Sequence, residues 1–341
     1  MTPAAQLAAL LADPAQAATC TAGDWTGILA VARAEQLIGT LAKRLKGLAL
    51  PDRVGRILEE AEATAAEGRR QALWEAEMAR RALREIVSPI ILLKGTAFAA
   101  AGLDAGQGRS IGDLDMLVPR AALPAVEAAL LAHDWEWVKP DPYDDLYYRR
   151  WMHELPPLIS VARDRMIDVH HTILPLTAES TPNAASLIKD AVPLGRGLAM
   201  LSPEDMIVHA ALHLFADGDL SGGLRNLWDI DRLLREFADA DASFWNRLVL
   251  RAQEHEAGSA VARGARIAHA LFATPVPAKW TRLRATDRLF LRRLLARDGW
   301  GRPTRPLTRF AFYCRSHLLR MPPGMLARHL WIKWRKRAAG G

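Results

Sequence analysis

Two carboxylates one residue apart, Asp113 and Asp115, stand in the run RSIGDLDMLVP, whose alternation of polar and apolar residues predicts a strand ending at Pro119. Side chains two apart on a strand share a face, so Ile111, Asp113 and Asp115 alternate against Gly112 and Leu114. Negative charges held side by side repel unless a cation lies between them. Mg²⁺ meets that need, because it is hard and is commonly held by one or two carboxylates plus substrate phosphates. A third carboxylate, Asp168, lies in the strand-like run MIDVHHTIL. With Ile167 and Val169 turned to the core, Asp168 and His170 share the opposite face. Three carboxylates on two neighbouring strands are what a two-metal phosphoryl-transfer centre requires. The same spacing recurs at Asp229 and Asp231, but LRNLWDIDRLL has a helical pattern. There the two side chains diverge by about 200° around the axis, which makes that pair structural.

Groups that could hold a phosphate lie upstream. Ile90 to Leu93 reads as a short buried strand, followed by Lys94-Gly95-Thr96 and a helix opening on the glycine. Free backbone N–H groups with a hydroxyl beside them suit a phosphate. Arg109, four residues before Asp113, can pair with a phosphate or with an aspartate. His209 and His213 are four apart on a predicted helix, with no HExxH pattern and no evident third ligand. They fit a polar pocket edge better than zinc, with His213 in reach of a nucleotide. His170 is a candidate pocket residue, as is Arg225, although a solvated helical arginine is the default for the latter. His153-Glu154 precedes Pro156-Pro157 and reads as a strand end rather than an acid–base pair. The glycines of GLDAGQGRS match neither the P-loop nor the dinucleotide fingerprint and are expected to form a mobile loop over the site.

The elements that must position these residues divide the chain. Residues 1–85 read as a helical region, with helical spacing over 26–48 and a Pro-free run of strong helix formers over 54–86. An α+β core follows at 86–180. It holds the strands at 90–93 and 113–118, a helix at 121–132 and a strand at 135–138. A turn at PDPYDD then leads to an antiparallel meander over 147–153, 158–162 and 166–172. From about Leu187 the pattern is helical again, giving a helical domain at 181–300. Ser202-Pro203-Glu204 starts a helix that runs through Phe215, and more helices are expected at 224–237, 243–257, 259–272 and 284–297.

With these elements in order, LLKGTAFAAAGL, RSIGDLDMLV and MIDVHHTIL together resemble the uncharacterised nucleotidyltransferase family of the DNA polymerase β-like superfamily. LSPEDMIVHAALHLF and LRNLWDIDRLL look like that family's later helices, so the resemblance covers roughly residues 60–235. Where the superfamily usually has Gly-Ser, this chain has Gly95-Thr96, which keeps the hydroxyl. His171 stands where relatives often carry an aromatic residue. The resemblance implies a small polymerase β-like sheet core flanked by helical regions. It also implies transfer of a nucleoside monophosphate from an NTP to an acceptor hydroxyl, with pyrophosphate leaving. By position, Asp113 and Asp115 would bind two Mg²⁺ ions, and Asp168 would complete the site nearest the acceptor and help deprotonate its hydroxyl. Gly95 and Thr96 would hold the β- and γ-phosphates, with Lys94 or Arg109 offsetting their charge. ATP is the favoured donor on abundance alone. The acceptor stays open between a protein or peptide, an RNA end and a small molecule. Two alternatives stand beside this reading: a kinase-type transfer at the same metals, and a catalytically silent nucleotide- or RNA-binding module.

Composition bounds the setting. The chain has 341 residues, 50% hydrophobic and 24% charged, which excludes the low-hydrophobicity profile of a disordered protein. The net charge of +7 is uneven: residues 301–341 carry ten Lys or Arg and no acidic residue, leaving the first 300 at −3. A uniformly basic nucleic-acid-binding domain is therefore not indicated. The tail, which interleaves basic and aromatic residues, could touch an anionic partner, although a terminal helix lying on the body is favoured. Charges interrupt every window long enough to span a membrane, and Asp13 breaks the apolar N-terminal run. Cys20 and Cys314 make no disulfide framework. A soluble, cytoplasmic enzyme is the expectation.

Overall fold

In the computed structural model, which describes residues 1–139, 141–328 and 331, four helices come first: α1 (Pro3–Ala12), α2 (Ala22–Ala34), α3 (Ile38–Arg44) and α4 (Asp52–Leu83). Their starts have local causes. Thr2 caps α1 by accepting from the Ala5 amide, and Pro3 occupies the first helical position, where no N–H is needed. Thr21 and Asp24 form a reciprocal capping box on α2. The long α4 buries Leu58, Ala65, Ala72, Ala76, Ala79 and Leu83 and lies against α3 and the central sheet.

The sheet is assembled from β1 (Ile90–Leu92), β2 (Asp113–Leu117), β3 (Trp135–Trp137), β4 (Leu158–Ser160), β5 (Arg165–His170), β6 (Val192–Gly195) and β7 (Leu198–Met200). Their order is β3-β4-β5-β2-β1-β7-β6. The β2–β5 and β1–β7 pairs are parallel and the other neighbours antiparallel. Interleaved helices are α5 (Lys94–Ala101), α6 (Leu123–Leu131), α7 (Pro142–Trp151) and α8 (Ala184–Lys189). After the sheet come α9 (Pro203–Leu212), a π-helical turn at His213–Asp217, α10 (Gly223–Ala240), α11 (Phe244–Glu254), α12 (Gly258–Phe272), α13 (Ala285–Leu294) and α14 (Pro306–Arg320). The architecture is thus a mixed sheet flanked by helices on both sides in sequence, as expected, and the helices anticipated after residue 202 are in place.

Three expectations need correction. The stretch 147–153 is not a strand, because PDPYDD starts a helix instead of making a turn. Asp141 accepts from the amides of Tyr143 and Asp144, and Pro142 takes the first position of α7. Second, the chain does not return to helix for good after Leu187. The β6–β7 hairpin lies at 192–200, turning through Gly195, Arg196 and Gly197, all in the left-handed region. Its β7 pairs directly with β1, so the sheet extends past residue 180. Third, the glycine-containing segment after α5 is not a loose loop. A Cβ on Gly106 would meet the Phe98 carbonyl carbon at 2.9 Å, and one on Gly108 would meet the Gly39 carbonyl oxygen at 2.2 Å. Thr40 Oγ1 donates to the carbonyl oxygens of Gln107 and Gly108. The segment is clamped onto α3.

One contiguous apolar core runs from Ala4 in α1 to Phe312 in α14. In α14, Phe312 lies edge-on to Phe290 at 5.0 Å, and the Arg315 guanidinium stacks over the same ring at 5.0 Å. Leu307, Phe310 and Leu318 stay exposed, so only one stripe of this helix rests on the body. Residues 329–330 and 332–341 of the basic tail lie outside the described residues. Among the described residues no helix is long and apolar enough to cross a membrane.

Candidate active site

The parallel β2–β5 pair decides the geometry. Its register sets Asp115 opposite Asp168 and Asp113 opposite Met166. Alternation does the rest. Leu114, Met116, Ile167 and Val169 are buried in the core, and the carboxylates emerge together on the other face. Carboxylate oxygens of Asp113, Asp115 and Asp168 all lie within 4.8 Å of one another.

The environments of the three carboxylates differ. Burial opposes ionisation of Asp115, but Lys94 and His170 outweigh it and hold its carboxyl well below the usual range. Lys94 Nζ donates to Asp115 Oδ1 at 2.6 Å, and His170 Nε2 lies 3.0 Å from the same oxygen. Among the described residues Asp168 has no such partner; burial, then Glu154 and Asp115, push its carboxyl up to about 7. Loss of water and the nearby Asp115 charge also raise Asp113. Three hard oxygen donors on adjacent strands, two of them reluctant to ionise without a counter-charge, suit a divalent ion such as Mg²⁺.

The phosphate-type elements lie next to the triad. The Leu93 amide donates to the Asp115 carbonyl oxygen, which ties the end of β1 to β2 and starts α5 beside the carboxylates. Lys94 turns the chain in the left-handed region at φ 47°, and Gly95 follows under the Arg109 side chain. A Cβ there would meet Arg109 Nε at 2.5 Å. Thr96 is buried, and its Oγ1 has no hydrogen-bond partner among the described residues.

Arg109 is partly buried and pairs with Asp229 of α10. Arg225 is buried rather than solvated. It also pairs with Asp229, donates to Thr40 Oγ1 and reaches the Ala105 carbonyl oxygen. Asp231 binds Arg232, Arg235 and Thr274. The second acid-x-acid pair is thus built into the helical packing, as its helical period implied. His209 and His213 line a small cavity of about 50 Å³ with Lys94, Arg109 and Asp229, and burial, then Lys94, keep His209 neutral.

The sequence reading took His153 and Glu154 for a strand end and did not place them at the site. Glu154 bridges the backbone of His170, and the His171 amide donates to the His153 carbonyl oxygen. The His-Glu pair thereby lies against the end of β5 beside Asp168. Its one local signal was two ionisable residues ahead of Pro156-Pro157, and nothing in that pattern names the strand they would meet.

Against this geometry, comparison with protein-family models finds the uncharacterised nucleotidyltransferase family over residues 21–273. The chain belongs to that family. Comparison with curated proteins finds no match. The family match starts well before residue 60 and so takes in most of the N-terminal helices as well as the sheet and α9–α12. As a nucleotidyltransferase, the protein is a transferase of phosphorus-containing groups, and its carboxylate cluster is of a kind that can hold a metal.

Proposed function

We propose that the enzyme moves a nucleoside monophosphate from an NTP, with ATP the first donor to test, onto an acceptor hydroxyl, with pyrophosphate leaving. The observation that carries this reading is the meeting of the Asp113, Asp115 and Asp168 carboxylates within 4.8 Å beside the start of α5. These three would hold Mg²⁺, which when bound stabilises charge on the attacking and leaving oxygens. In this reading the protein's own contribution is placement. Lys94 and His170 fix the Asp115 rotamer through one oxygen and leave the other for coordination. The backbone at Gly95 and the unspent Thr96 hydroxyl offer donors to the β- and γ-phosphates. Asp168, whose carboxyl holds its proton up to about pH 7, is suited to taking the acceptor's proton. Arg109 acts from behind, closing the space over Gly95 and joining α5 to α10 through Asp229. The acceptor is a protein or peptide, an RNA end or a small molecule.

The test is transfer from the four NTPs labelled at the α- or the γ-phosphate, with Mg²⁺ and a cell lysate as acceptor pool, wild type beside Asp113→Ala. An α-label appearing on an acceptor, and lost with the substitution, is the expected outcome. Movement of the γ-label instead would make the enzyme a kinase at the same carboxylates. NTP binding with neither label moved would favour the silent binding module.

A further inference from the structure

We infer that His153, Glu154 and His170 form a second metal site, for a divalent transition ion of the zinc class, beside the carboxylate triad and chemically distinct from it. This inference does not depend on which phosphoryl chemistry the triad performs. It begins with the His170 ring. Nε2 lies 3.0 Å from Asp115 Oδ1; an ionised carboxylate only accepts, so Nε2 carries the hydrogen. Nδ1 is left at the other edge of a ring that is 98% buried, with no hydrogen-bond partner among the described residues. What it faces is an oxygen: Glu154 Oε2 at 3.5 Å. The same oxygen is 3.8 Å from His153 Nε2. His153 is also buried, and burial, then His170 and Lys94, keep it neutral.

One nitrogen of each imidazole and a Glu154 carboxylate oxygen therefore converge, all within 4.8 Å. The spacing fits one ion. Donors about 2.0–2.2 Å from a tetrahedral centre stand roughly 3.4 Å from one another, close to the 3.5 and 3.8 Å observed. The two rings have centroids 5.1 Å apart and are tilted by 30°, as two imidazoles sharing an ion would be.

The second shell fits as well. A metal-binding histidine usually gives its other N–H to a carboxylate, which fixes its tautomer and raises its basicity; Asp115 does this for His170. Two imidazoles with one carboxylate select zinc-class ions over Mg²⁺, which takes oxygen. Three protein ligands leave a fourth position open, and the Glu154 side chain is 18% exposed, so the site has a route to solvent. Lys94 is committed to Asp115 at 2.6 Å.

The test is a Co²⁺ titration of the full-length protein in excess Mg²⁺, added to saturate the carboxylate triad. One equivalent should bind with the intense visible absorption of tetrahedral cobalt. Glu154→Gln and His153→Gln, checked for folding by circular dichroism, should weaken it at least a hundredfold, while Asp168→Asn should leave the spectrum in place. X-ray absorption of the Zn²⁺-loaded wild type, which needs no variant, should show two imidazoles in the shell. A cobalt signal fully displaced by Mg²⁺ would overturn the inference. So would one lost in Asp168→Asn but kept in Glu154→Gln, or a zinc shell of oxygens alone.

Discussion

At the scale of single residues, the site is a contest between burial and charge. Asp115 stays ionised because Lys94 and His170 share one of its oxygens, whereas Asp168 sits among carboxylates and is pushed up to about 7. The sign of the consequence is fixed. Native Asp168 keeps a proton that the unfolded chain has released, so the metal-free protein loses stability as pH rises from about 4 to about 7. Proton and metal compete for the same oxygens. Calorimetric Mg²⁺ affinity should therefore climb by up to about tenfold per pH unit below about 7 and level off above it, and Asp168→Asn should reduce that dependence to the part carried by Asp113. Gly95 answers to sterics instead. A methyl group there meets Arg109, which is held by Asp229 and has little freedom to retreat. Gly95→Ala should cost about 1–3 kcal/mol in denaturant unfolding and weaken NTP binding measured by the same calorimetry.

At the scale of elements, close backbone contact and buried ion pairs hold the sheet against its flanking helices. Gly108, at φ +63° and with its missing Cβ directed at the Gly39 backbone, lets the segment after α5 lie flat on α3. Gly108→Ala brings both a left-handed penalty and a collision with backbone that cannot rotate away. It should lower stability by about 3 kcal/mol or more, read as a fall in the urea midpoint. Further along α4, the buried Glu75 receives two hydrogen bonds from Arg163, at 2.7 and 3.1 Å, and the guanidinium stacks over Trp135 at 4.6 Å. This contact ties α4 to the β4–β5 turn. Glu75→Ala should cost about 3–5 kcal/mol, because it strands the arginine's charge; replacing both partners by apolar residues should cost far less, and a double-mutant cycle measures the difference.

At the scale of the whole molecule, one core and one polar cluster join segments that the sequence divides into four. Asp229 of α10 holds Arg109, from the segment after α5, and Arg225, which in turn reaches Thr40 of α3 and the Ala105 carbonyl. Glu35 of α2 binds Arg297 at 2.7 Å and accepts from the Leu224 amide. With the core continuous from Ala4 to Phe312, residues 1–300 should unfold in a single calorimetric transition. Asp229→Ala leaves two arginines without their carboxylate. It should lower the midpoint of that transition by the equivalent of about 3–5 kcal/mol, without splitting it into two.

Much of this was legible along the chain, for local reasons. Period-2 alternation put Asp113 with Asp115 and Asp168 with His170 on the strand faces turned away from the apolar core, and helical period consigned Asp229 and Asp231 to structure; both depend only on neighbours within a few residues. Prolines and cap residues marked α9 in the same way, although the cap at Asp141 passed for a turn because Asp-Pro serves both. The family, too, followed from short ordered motifs. What alternation cannot supply is the neighbour of a strand. The pairing of β2 with β5, which sets Asp115 opposite Asp168, and of β1 with β7, which draws residues 198–200 into the sheet, are contacts across long stretches of chain. The same holds for the Arg109–Asp229 pair and for His153 and Glu154, which gain a meaning only when the end of β5 lies beside them. Residue type and spacing determined which groups face outward and what chemistry they suit. Tertiary structure alone decided which of them meet, because the energy of a carboxylate, a lysine or an imidazole depends on charges and burial contributed by residues distant in sequence.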